Sequence, residues 1–239
     1  MISKTVMIME SRKKVLVFGD SLARGVVWDE SRGRYVISPC AAVRRIAERT
    51  GYEIVNRARM GMTAEGGLAC MQADLARGVT ADVAVIEFGG NDSDFDWRAI
   101  SEDPRPIHQP KTRIETYESN LRCMISMAKE HKMSAVLCSL PPILSENYFD
   151  FFSQSGLNTD NILCWLGDKN KIYRYHELYS LVLLRLAKEY GCRLLDLRSA
   201  FLEKWDPKPY FCRDGIHPND RGQTLIADTV LSQIASTLV

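Results

Sequence analysis

The sequence lacks the marks of a secreted, membrane-spanning or polyanion-binding chain. Near the N-terminus, Lys4, Glu10 and the run Ser11-Arg12-Lys13-Lys14 interrupt the few apolar residues, so neither a secretory h-region nor a membrane span can be read there. Charge of one sign is not in excess: 31 Lys+Arg against 30 Asp+Glu give a formal net charge of +1, which excludes the basic footprint of a protein that binds nucleic acid along its length. The seven cysteines are odd in number and contain no Cys-x-x-Cys pair, which argues against a disulfide framework and for reduced thiols in the cytoplasm. Cys138 and Cys192 lie in or beside apolar runs and read as packing residues. Cys40 follows Ser38-Pro39, where a first helical turn can lower a thiol pKa, but it too is read as structural. Composition breaks and internal repeats are missing as well. What remains is a cytoplasmic protein with a small-molecule partner, no nucleic acid and no membrane span.

What the chain does have is an alternation of strand and helix. At 239 residues it is expected to form a single domain, 1–239, with 1–13 as an N-terminal extension. The apolar run Val15-Leu16-Val17-Phe18 is too short for a helix and fits a buried strand. A loop at 26–36 follows, and Ser38-Pro39 resembles an N-cap and N1 pair that opens a helix closed by Gly51. Further strands are expected at 53–55, 81–87, 135–138 and 193–197. Further helices are expected near 64–76, 112–132 and 169–190, and from Asn219 or Asp220 onward. Residues 93–110 read as irregular because of Pro104, Pro106 and Pro110. Residues 143–167 are long for a connection and are expected to be an insertion or lid. The pattern predicts a three-layer α/β/α sandwich around a mostly parallel five-stranded sheet with right-handed crossovers.

Open sheets of this kind place their ligands at the C-terminal edge of the strands. The first strand ends in Gly19-Asp20-Ser21-Leu22, which presents a serine hydroxyl at that edge, although Gly and Asp also punctuate plain turns. Gly61 lies in the loop after the second strand. Asn91 follows the third strand in Gly89-Gly90-Asn91-Asp92, and Asp214-Gly215-Ile216-His217-Pro218 precedes the final helix. These four blocks, in this order, resemble those of the SGNH hydrolases, the GDSL esterase/lipase family, and the resemblance runs from residue 15 to the last helix. It implies the flavodoxin-like SGNH hydrolase fold and a serine-dependent ester hydrolase that works through an acyl-enzyme.

A serine hydroxyl is a poor nucleophile until a base takes its proton. With Ser21 as nucleophile, His217 is the candidate base and then acid, and Asp214, three residues earlier, the residue that orients the imidazole. Asp214 also reads as a turn former beside Gly215. His108, His131 and His176 are expected on the surface or in packing roles. The resemblance further implies an oxyanion hole of the Ser21 and Gly61 backbone N–H groups and the Asn91 amide; Gly61 as a turn residue and Asn91 as a cap are the plainer readings. Ala58 stands where family members often carry a second glycine, and Asp20 is expected to hold the turn by side-chain bonds.

No cofactor and no metal are expected. Asp92, Asp94 and Asp96 alternate as in a calcium loop, but Trp97 stands where glycine is needed and Asp103 where a bidentate glutamate is needed. Tyr148, Phe149, Phe151 and Phe152 can line an acyl or sugar pocket, form a dimer contact or fill a secondary core. The expected substrate is a small acyl ester, with acetyl on a carbohydrate or similar molecule favoured over bulk lipid. A lysophospholipase or thioesterase with residues 143–167 as an acyl-binding lid is the alternative among enzymes. A non-catalytic binding module on the same fold is the alternative outside them.

Overall fold

The computed structural model describes residues 12–235, so most of the expected N-terminal extension lies outside the described residues. In chain order the elements are β1 (Lys14–Gly19), α1 (Ser21–Arg24), β2 (Val26–Asp29), β3 (Arg34–Ile37), α2 (Ala42–Thr50), β4 (Glu53–Asn56), α3 (Ala64–Ala76), β5 (Val83–Glu87), α4 (Trp97–Glu102), α5 (Ile114–Glu130), β6 (Ser134–Cys138), α6 (Ser145–Ser153), α7 (Thr159–Leu166), α8 (Asn170–Tyr190), β7 (Arg193–Leu195), α9 (Leu197–Leu202) and α10 (Asp220–Ala235).

β1 carries apolar side chains from Val15 to Phe18 that are buried on both faces, as an interior strand of a covered parallel sheet requires. The sheet has the order β4-β1-β5-β6-β7 and every pair in it is parallel. Alternate side chains go to opposite layers. Leu16, Phe18, Ala84, Ile86 and Leu137 pack against α3, α5 and α8 through Met71, Tyr117, Leu121, Tyr179 and Leu183. Val136, Cys138 and Leu195 face α2, α9 and α10 through Ile46, Phe201, Ile226 and Val230. A fully buried aliphatic side chain such as Leu16 or Ile86 contributes on the order of 1.5–3 kcal/mol. Counting sheet strands alone, the order is 2-1-3-4-5, and the order reverses between β1 and β5. That switch point opens the crevice in which such folds bind ligands.

Some expected element boundaries need correction, and other segments gain detail without being overturned. The expected loop at 26–36 contains an antiparallel hairpin, β2 with β3. Its β-branched and aromatic residues on either side of the Ser31-Arg32-Gly33 turn are the strand signal that was available. Ser38 does not cap α2: its hydroxyl accepts from the Cys40 N–H at 2.8 Å and donates to Asp220, and the helix begins at Ala42, so Cys40 precedes it. Residues 93–110 include α4, which Asp96 caps by accepting from the Ala99 N–H. Residues 143–167 hold α6 and α7, and with α4 they form an outer core of Phe95, Trp97, Ile100, Phe149, Phe152 and Ile162. The last strand stops at Leu195 because Asp196 caps α9, accepting from the Ser199 N–H. Of the histidines, His131 is exposed and His108 half-buried, whereas His176 is buried on α8.

Candidate active site

Four segments bring the candidate residues to the C-terminal edge of the sheet, the loop between β4 and α3 supplying Gly61. β1 ends at Gly19, and Asp20 caps the single turn of α1 by accepting from the Leu22 N–H at 2.8 Å, as expected of its side chain. The cap places Ser21 at the first helical position. β5 ends at Glu87, and the turn after it delivers Asn91. The His217 loop is drawn tight by a bond from the Cys212 N–H to the His217 carbonyl at 2.8 Å. Gly215 has φ +72, and a Cβ there would lie 2.6 Å from the Leu144 carbonyl oxygen, so only glycine fits that bend.

His217 Nε2 lies 2.9 Å from Ser21 Oγ, and His217 Nδ1 lies 2.7 Å from Asp214 Oδ2. A carboxylate can only accept, so Nδ1 carries the proton and Nε2 is left as the acceptor facing the serine hydroxyl. Asp214 is fully buried and receives four donors: the backbone N–H groups of Ile216 and His217 at Oδ1, and His217 Nδ1 and the Tyr35 hydroxyl at Oδ2. Burial opposes its charge, but the hydrogen bond from His217, the charge of that ring when protonated and the two backbone N–H groups outweigh it and hold the carboxyl below the usual range. Tyr35 donates at 2.8 Å, and its ring packs on the His217 imidazole with centroids 4.9 Å apart. Burial, reinforced by the Asp214 charge, raises its phenol far above the ordinary value, so it remains a donor.

Gly61 has φ +75, a conformation that side-chain-bearing residues rarely adopt. Among the described residues the backbone N–H groups of Ser21 and Gly61 donate to no protein acceptor. Asn91 is held differently. Its Nδ2 donates to Asp20 Oδ2 at 3.0 Å and to the Met62 carbonyl at 3.2 Å, so both amide protons are already engaged. Asp92 ties this turn to α3 by accepting the Ala64 N–H on both carboxylate oxygens. Burial raises the Asp92 pKa to about 6. The other acids of the apparent calcium loop also have structural partners: Asp94 accepts from Lys111, Trp97 and Tyr148, and Asp96 caps α4.

Ser21, Gly61, Asn91 and His217 border a cavity of about 360 Å³, walled by Leu140, Ile143, Phe95, Trp97, Tyr148 and Phe151. The aromatic cluster thus divides: Tyr148, Phe151 and Phe152 line this cavity, while Phe149 belongs to the outer core with Phe152. All five candidate residues converge. The residue that sequence reasoning missed is Tyr35, which the hairpin carries over the His217 ring; the strand signal at 26–37 would have brought it into view.

An oriented Ser–His–Asp chain beside two free backbone donors holds the parts that acyl transfer through a serine requires. The chain belongs to the GDSL-like lipase/acylhydrolase family, whose model matches residues 17–225, and it is a carboxylic ester hydrolase. The sequence matches no curated protein. Among solved structures, a lipase/acylhydrolase from Enterococcus faecalis is similar at TM-score 0.66 and 19% identity, over 94% of this chain and 96% of that one. An acetylxylan esterase from Geobacillus stearothermophilus gives 0.64 at 20% identity, over 93% and 94% of the two chains. A psychrotrophic esterase from Pseudoalteromonas sp. gives 0.61 at 17% identity, over 95% and 98%. At these identities the likeness is one of fold. No helix among the described residues is long and apolar enough to cross a membrane.

Proposed function

We propose that the protein removes short acyl groups, acetyl above all, from a carbohydrate or similarly polar small alcohol, through an acyl-enzyme on Ser21. Ser21 Oγ attacks the ester carbonyl carbon while its proton passes to His217 Nε2, and Asp214 stabilises the imidazolium that forms. The tetrahedral oxyanion takes the free N–H groups of Ser21 and Gly61, and it draws the Asn91 amide proton away from the Met62 carbonyl. Collapse expels the alcohol, which leaves with the proton from Nε2. Water then repeats the sequence and frees the acid. Neither cofactor nor metal takes part.

The observation that carries this reading is the unbroken chain from Ser21 Oγ through His217 to Asp214, at 2.9 and 2.7 Å, beside two N–H groups without acceptors. The acetylxylan esterase among the structural neighbours is a catalytic mutant with a single serine-to-alanine change, which supports a serine nucleophile here. Aromatic faces at Trp97, Tyr148 and Phe151 in the cavity wall suit the apolar face of a sugar ring. The mainly apolar lining also favours a second reading, a lysophospholipase or thioesterase whose acyl chain lies along those rings under α6 and α7.

Rates on p-nitrophenyl esters from acetyl to palmitoyl, with acetylated xylose as the sugar ester, separate the two. Acetyl preference and sugar turnover are expected, and a preference for long chains would replace the first reading by the second. Ser21→Ala is expected to lower kcat by up to roughly 10⁶. A variant with undiminished turnover would remove Ser21 as nucleophile.

A further inference from the structure

At the turn that carries Ser21, the Asp20 and Glu87 carboxyl groups adjoin, and among the described residues neither forms an ion pair with a lysine or arginine. The register of β1 against β5 sets Gly19 opposite Glu87, so Asp20 and Glu87 face each other across the switch point. Asp20 is 4% exposed and Glu87 3%. The Asp20 N–H donates to Glu87 Oε2 at 3.3 Å, while Asp20 Oδ1 accepts from the Leu22 N–H and Oδ2 from the Asn91 amide. The ionisable groups facing the two acids are Asp92, His217, the Tyr117 phenol and the Cys138 thiol, with no lysine or arginine among them. Two adjoining carboxyl groups so deeply buried disfavour a second charge beside the first.

We infer that Glu87 and Asp20 share one proton, which Glu87 donates to Asp20, and that this bond fixes the Asp20 carboxylate that orients the Asn91 amide. Glu87 is thereby a positioning residue for the oxyanion hole. The partners decide which acid keeps the proton. Asp20 has donors in Leu22 and Asn91 that favour its charge, whereas Glu87 has backbone N–H groups and the Asp20 charge beside it. Burial first, and then that charge, raises the Glu87 pKa well above the carboxylate range. Burial also raises Asp20, but only to about 6, because the Leu22 N–H, the charge of His217 and the Asn91 amide oppose it. Asp20 therefore becomes a carboxylate as pH rises through about 6, and below that its hold on Asn91 weakens. The positioning role rests on the reading of Asn91 as an oxyanion donor, whereas the shared proton does not.

The test compares Glu87→Leu and Glu87→Gln with the unaltered protein in p-nitrophenyl acetate hydrolysis across the pH range, with infrared difference spectra at neutral pH. Leucine removes the donor to Asp20. It is expected to lower kcat by about tenfold or more, with KM within about twofold, and to move the acid limb of kcat to higher pH, as misorientation of one catalytic group does. Glutamine, whose amide donates in place of the acid, is expected to recover most of that loss. The spectrum of the unaltered protein minus Glu87→Gln is expected to show a carboxylic-acid carbonyl band. A folded Leu variant with the original kcat and acid limb overturns the positioning role. Absence of the band while Asn91→Ala is slow overturns the shared proton and leaves the proposed function standing. A full-rate Asn91→Ala with the band present overturns the oxyanion reading and, with it, the positioning role.

Discussion

Two cavities of nearly equal size adjoin at Leu22 and Glu87, and they differ in everything but volume. The first, about 360 Å³, lies at the C-terminal edge of the strands and gathers Ser21, Gly61, Asn91 and His217. The second, about 350 Å³, lies between the sheet and the layer of α2 and α10, with walls such as Val15, Val17, Ile46, Val83 and Val85. The second offers an apolar ligand a better surface, yet the one thiol in its lining, Cys138, has its pKa pushed up by burial, and no histidine lines the cavity to act as a base. Volume and apolarity locate space, whereas chemistry requires unpaired donors aimed at the point where charge develops. The contrast follows from topology: the turn after β1 and the loop after β4 leave the Ser21 and Gly61 N–H groups without an acceptor among the described residues, whereas the sheet faces supply only side chains.

The largest effect that sharpens this contrast is expected at Asn91. Asn91→Ala should lower kcat by on the order of 10² to 10³ if the amide stabilises the oxyanion, with circular dichroism unchanged. A full rate would make the amide a brace between Asp20 and Met62 and reduce the first cavity to two donors. Tyr35→Phe removes one of the four donors to Asp214 while keeping the ring on His217. Its expected cost is about tenfold in kcat, from the loss of one hydrogen bond to a charged group, read as a kcat change at constant KM. The smallest effect is expected in the second cavity. Val83→Ile adds one methylene to open apolar space and should alter stability by less than about 1.5 kcal/mol, with kcat/KM unchanged. A large change in rate would show that the two cavities act as one.

The candidate site was legible in part because Ser21 and Asn91 follow strands directly: an apolar run broken by Gly-Asp-Ser or Gly-Gly-Asn-Asp carries both the strand and its polar end, whereas Gly61 and the Asp214–His217 block were placed by the family resemblance. The parallel sheet follows from the alternation of strand and helix, whereas its order, with the reversal between β1 and β5, is seen only in the structure. What escaped notice depends on contacts distant in sequence. Tyr35 bonds to Asp214 across 179 positions, and only the fold of the hairpin brings them together. Glu87 reads as a polar strand end until the fold shows it almost fully buried beside Asp20, where the two cavities adjoin. The segment from Ile143 to Gly167 reads as a long connection although Ser145, Phe149 and Phe152 recur at helical spacing, and its aromatics serve two neighbours: Phe149 packs inward on the outer core while Phe151 meets Trp28 and Tyr35 at the cavity. Short capped helices such as α4 and α9 were hidden in the same way, by Asp96 and Asp196 acting as caps where a loop or the rest of a strand was expected.

The central claim is that one serine, Ser21, carries the acyl group. Treatment with p-nitrophenyl diethyl phosphate tests it most directly, because attack by the activated hydroxyl forms a serine–phosphorus bond and expels p-nitrophenolate. The expected result is roughly one equivalent of p-nitrophenolate per chain, complete loss of esterase activity, and a diethylphosphoryl adduct on the peptide containing Ser21. Esterase activity that survives with no adduct, or an inactivating adduct on another residue, would contradict the assignment.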